Sequence, residues 1–77
     1  MENNYKIDIG AELERIGKDI NDIEEAGINQ TVLSFFSGAE NERAFILAAR
    51  AYAKSRGYAS VCEYEDGELV LTIRKAA

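Results

Sequence analysis

The chain has 77 residues, 47% of them apolar, a net charge of −5 at pH 7, no histidine, no proline and a single cysteine. That length and apolar content suit one domain with one modest core, and they exclude a chain disordered by composition. A lone cysteine excludes an internal disulfide framework, the missing histidine removes the commonest general base and metal ligand near neutral pH, and the charge repels nucleic acid and anionic lipid at long range.

Near the N-terminus, Tyr5, Ile7 and Ile9 alternate with Lys6 and Asp8, a short strand pattern. Ile9, Leu13, Ile16, Ile20 and Ile23 then follow at spacings of four and three, one apolar stripe at helical period. Glu14 with Lys18 and Arg15 with Asp19 are i, i+4 pairs that support an exposed helical face. Gly27 is the expected stop of this first helix, and the mid-helix Gly17 is expected to admit a close neighbour. Glu24 and Glu25 oppose the helix dipole at its C-terminal end.

Thr31–Phe36 is β-branched and aromatic on both faces, which fits an interior strand better than a solvated edge. Ser37-Gly38-Ala39-Glu40 reads as a capping box, so a second helix is expected from about residue 38 to 56, before Gly57. On it Phe45, Ala49 and Tyr52 share one direction, Arg43, Arg50 and Lys54 lie opposite, and small alanines fall between. Asp66-Gly67 between alternating segments is a type I′ hairpin signal, and a two-residue loop pairs Glu65 with Glu68, Cys62 with Leu71 and Ser60 with Ile73. Tyr58, Ser60, Cys62, Tyr64, Leu69, Leu71 and Ile73 then face the helices, while Ala59, Val61, Glu63, Glu65, Glu68, Val70, Thr72 and Arg74 face out. The lone Cys62, on the inward set, is expected to be a buried, inert thiol.

The expected architecture is α+β, in the order (β)αβαββ. Two helices pack on one face of a small three- or four-stranded sheet with a C-terminal β-hairpin, forming one compact domain over residues 1–77.

Function is expected to lie in binding, not catalysis. No nucleophile–base pair, P-loop, Gly-rich dinucleotide loop or metal-ligand cluster is present, so neither a catalytic residue nor a cofactor nor a metal is assigned. All the net charge lies in residues 1–37, with eight acids (Glu2, Asp8, Glu12, Glu14, Asp19, Asp22, Glu24, Glu25) against Lys6, Arg15 and Lys18; the remainder is balanced. The expected partner is a protein, met through Glu12, Asp19, Asp22 and Glu25 of the first helix together with Glu63 and Glu65 of the hairpin. Arg43, Arg50 and Lys54 carry the alternative, a small nucleic-acid-binding module. No run of 18 apolar residues is available to span a membrane, Met1–Asn4 lacks a leader pattern, and a cytoplasmic setting is expected from the cysteine usage.

The strand–helix–hairpin order and the terminal Arg74-Lys75 pair resemble a small single-strand-binding domain family. That family is defined by an arginine and a histidine a few residues apart, and without a histidine the resemblance implies no shared site. In size and charge the chain is similar to the small acidic proteins with which phages and mobile elements block host machinery, anti-CRISPR proteins among them. That likeness implies an inhibitor of a host nucleic-acid-handling protein.

Overall fold

In a computed structural model, which describes residues 5–76, helix α1 (Ile9–Ala26) is followed by strand β1 (Gln30–Phe36), helix α2 (Glu42–Ser55) and strands β2 (Tyr58–Glu65) and β3 (Glu68–Lys75). Met1–Asn4, where no leader pattern is expected, lies outside the described residues. The sheet is antiparallel with order β1-β3-β2. The α+β architecture is as the sequence indicates, with both helices on one face and a C-terminal hairpin.

The apolar stripe of α1 does what its spacing requires. Ile16, Ile20 and Ile23 are buried, and Ile9 and Leu13 pack against the core from its edge. Asp8 caps the helix by accepting a hydrogen bond from the Ala11 amide at 3.1 Å. At the far end the amides of Gly27 and Ile28 close on the carbonyls of Glu24 and Ile23. From the sheet, Leu33, Phe35, Leu69, Leu71 and Ile73 meet the helices, and Phe35 packs edge-on against Phe45 of α2 with ring centres 4.9 Å apart.

The hairpin forms in the expected register, with Glu65 opposite Glu68, Cys62 opposite Leu71 and Ser60 opposite Ile73. Its turn residues Asp66 and Gly67 both have positive φ, 48° and 78°, as a type I′ turn demands.

Several local expectations are corrected. Of the three or four strands expected the sheet has three, because Tyr5–Asp8 is not a strand and Ile9 opens α1. Ile7 instead drops into the core, held by Asn41, whose side chain accepts from the Ile7 amide and donates to the Ile7 carbonyl, each at 2.8 Å. The second helix begins at Glu42, not near residue 38. Ala39 turns inward to the core, the Glu40 amide donates to the Tyr5 carbonyl, and the Ser37 hydroxyl donates to the Gly67 carbonyl, so the Ser37–Glu40 capping box does not form. Glu42 reaches back in place of Glu40, accepting from the Gly38 amide at 2.9 Å.

β1 is an edge strand, because the tight turn fixes β2 beside β3 and β1 adds to the other side of β3. On α1, Arg15 pairs with Glu12 at 3.2 Å, not with Asp19, and its guanidinium lies over the Phe35 ring. Cys62 is only half-buried.

Candidate functional site

With both helices on one face, the other face of the sheet is bare among the described residues. Side chains alternate along each strand, and the register sets the outward ones in cross-strand rows. Gln30, Arg74 and Ala59 form the first row, Val32, Thr72 and Val61 the second, Ser34, Val70 and Glu63 the third, and Phe36, Glu68 and Glu65 the last. Val32, Val61 and Phe36 are 53%, 57% and 74% exposed. The face is thus an apolar centre of three valines and a threonine. Phe36 stands at one corner beside Glu68, with Glu65 and Glu63 along the same end. At the other end Arg74 donates to the Gln30 side chain at 2.9 Å.

Val61, Val70 and Thr72 were legible in the sequence as outward residues; Val32 and Phe36 were not. Their signal was present in Thr31–Phe36, where apolar side chains occupy both parities. In an edge strand over a one-sided core, that means an apolar face left in solvent, not an interior strand.

The six carboxylates expected to act together divide between two faces. Glu63 and Glu65 lie on the bare face of the sheet; Glu12, Asp19, Asp22 and Glu25 belong to α1, on the opposite face. Glu12 is engaged by Arg15. Asp19 and Asp22 lie about 60° apart around the helix and Glu25 about 60° further, so the α1 acids wrap its solvent side and do not converge. Glu24 is tied into the fold, accepting from the Tyr58 hydroxyl at 3.1 Å and lying 3.7 Å from the Arg56 guanidinium. That contact also offsets the placement of Glu24 at the negative end of the helix.

Arg43, Arg50 and Lys54 lie exposed along one stripe of α2, with Arg50 and Lys54 facing the β2 edge, and none makes an ion pair among the described residues. Arg56, near them in sequence, points away and is held by Asn21 at 2.7 Å and by the Tyr52 hydroxyl.

Three groups of this region, Cys62, Tyr64 and Tyr58, hold their protons above the ordinary range. Burial pushes the Cys62 thiol up, opposed by the nearby Arg50. The Tyr64 hydroxyl is raised chiefly by its 2.6 Å hydrogen bond to Glu42, and Tyr58 by burial and then by Glu24. A raised thiol is a weak nucleophile. No group of three or more possible metal ligands occurs among the described residues, and no helix among them is long and apolar enough to cross a membrane. Comparison with protein families, curated proteins and solved structures finds no match to the chain.

Proposed function

We propose that the protein is a non-enzymatic binding module that docks a partner protein on the bare face of its sheet. The observation that carries this reading is the apolar centre, Val32, Val61 and Val70, rimmed on one side by Glu63, Glu65 and Glu68. Exposed apolar area with a charged rim is the composition of a protein interface, and its acids select a partner with basic residues at the matching rim. Proteins that handle nucleic acid present a basic surface of that kind. The finer reading is therefore an inhibitor that covers such a surface on a host protein, carboxylates standing where phosphates would.

Affinity capture from host-type lysate, with and without nuclease, tests this. One protein retained regardless of nuclease, and lost with Val61→Lys or Glu63→Lys, supports the reading. Capture unchanged by both substitutions refutes it. Capture abolished by nuclease and by Arg50→Glu would assign the function to the cation stripe of α2 and to nucleic acid instead.

A further inference from the structure

The second open feature of the fold is the free edge of β2. The Ala76 amide donates to the Gly57 carbonyl, and the register alternates from there. Residues 59, 61, 63 and 65 therefore bond to β3, while the backbone groups of Tyr58, Ser60, Cys62 and Tyr64 point away from the sheet. Among the described residues nothing bonds to them. Natural edges are blunted by proline, charged side chains, bulges or a covering segment; Tyr58–Glu65 has no proline or lysine, its two charges Glu63 and Glu65 sit at one end with their side chains on the opposite face, and no described residue covers it.

Beside this edge runs a groove of about 500 Å³, lined by Leu47, Arg50, Ala51 and Lys54 of α2 and by Ala59 and Ser60 of β2. Leu47 is 62% exposed, an apolar side chain with no cover of its own. Two of the three cations, Arg50 and Lys54, line the groove itself, and Arg43 stands two turns before Arg50 on the same stripe of α2, beyond the groove toward Tyr64. Residues 43 to 54 of a helix advance about 16 Å, and Tyr58 to Tyr64 of a strand about 20 Å, so the cations keep pace with the edge.

We infer that this groove takes an extended acidic peptide segment of a partner protein, which adds to β2 as a fourth strand. Its backbone pairs with Ser60 and Cys62. Alternate side chains turn toward α2, where carboxylates meet Arg43, Arg50 and Lys54 and a small apolar residue meets Leu47 and Ala51. Charge decides the occupant. A second copy pairing β2 with β2 would bring two cation stripes together, which is repulsive. This site meets the bare sheet face only at Ala59, and its test reads different residues.

Peptides selected by the full chain from a displayed random decapeptide library should carry carboxylates at alternating positions. Adding such a peptide should slow amide hydrogen exchange at Ser60 and Cys62 without changing exchange at Val61 or Val70. Arg50→Glu and Lys54→Glu should each weaken it about tenfold, as loss and reversal of one desolvated charge contact implies. Circular dichroism of these exposed-site variants should match the parent. Selection of no peptide, a consensus without acids, or binding without protection at Ser60 and Cys62 overturns the proposal. So does a single-stranded oligonucleotide that binds Arg50 while leaving those amides unprotected, or a self-association that Arg50→Glu strengthens.

Discussion

Gly17 and Tyr52 meet where α1 packs on α2, and the Tyr52 side chain occupies the space a side chain at position 17 would need. A methyl group at Gly17 would come within 3.3 Å of the Tyr52 ring carbon Cζ and would overlap its hydroxyl oxygen. That hydroxyl accepts from Arg56, which in turn reaches Asn21 and Glu24, so Tyr52 is held in place from behind. Gly17→Ala gains about 1 kcal/mol of helix propensity but loses about 1–3 kcal/mol to overpacking. The expected result is a lower melting temperature. In the double variant Gly17→Ala/Tyr52→Phe the clash is relieved, and part of the loss should return. A strictly additive double-mutant cycle by urea unfolding would show that the two side chains do not compete for this space.

Asn41 ties two distant parts of the chain through a single side chain. Its amide pairs with both backbone groups of Ile7, which is why Ile7 sits in the core although Tyr5–Asp8 has no regular structure. Asn41→Ala strands the Ile7 amide and carbonyl and is expected to cost about 1–3 kcal/mol. Asn41→Asp keeps the acceptor for the amide but sets a carboxylate against the Ile7 carbonyl, and should recover only part of the loss. Hydrogen exchange at Ile7 is the direct readout: it should accelerate in both variants, more in the alanine.

Elements whose signal is local were legible in the sequence, and junctions that depend on distant partners were not. The stripe Ile9 to Ile23, the Asp66-Gly67 turn and the face assignment of the hairpin follow from period and turn chemistry alone. The start of α2 does not, because Ser37 donates its hydroxyl to Gly67, 30 residues away, and the residue that reaches back is Glu42. Tyr5–Asp8 alternates like a strand, but its backbone bonds to Asn41 and the Glu40 amide instead of to a strand. The candidate site shows the same division. Val61, Val70, Glu63 and Glu65 were visible as outward residues, whereas their separation from the acids of α1 depends on which sheet face the helices cover.

Alkaline pH should weaken the fold. Tyr58 is raised above its ordinary value by burial and by Glu24, Tyr64 by its hydrogen bond to Glu42, and Cys62 by burial. In each case the folded state holds a proton the unfolded chain releases more readily. The stabilising contribution is complete below the ordinary pKa of the group, about 8.5 for cysteine and about 10 for tyrosine, and is lost as pH rises through the raised values. The urea midpoint should stay level to about pH 8 and fall above it. Tyr58→Phe should lower the midpoint at neutral pH, because Glu24 loses a donor, and flatten the decline above pH 10. An unchanged decline in that variant would remove Tyr58 from the account.

Glu24 and Glu25 are neighbours with opposite prospects, and they separate structural acids from spare ones. Both stand in the last turn of α1, which carries no basic residue, so both meet the negative end of the helix dipole. Glu24 is compensated by Tyr58 and Arg56 and should not be replaced: Glu24→Lys sets a cation against Arg56 and leaves the Tyr58 hydroxyl without its acceptor. Glu25 is exposed and makes no ion pair among the described residues. Glu25→Lys should stabilise the protein by about 0.3–1 kcal/mol, a gain that shrinks in 1 M salt because the effect is electrostatic and exposed. Thermal melts of the two variants at low and high salt check the pair. The same Glu25→Lys protein, together with Asp19→Lys/Asp22→Lys, should capture partner as the parent does if docking uses the bare sheet face. Loss of capture in these folded variants would return the binding surface to α1.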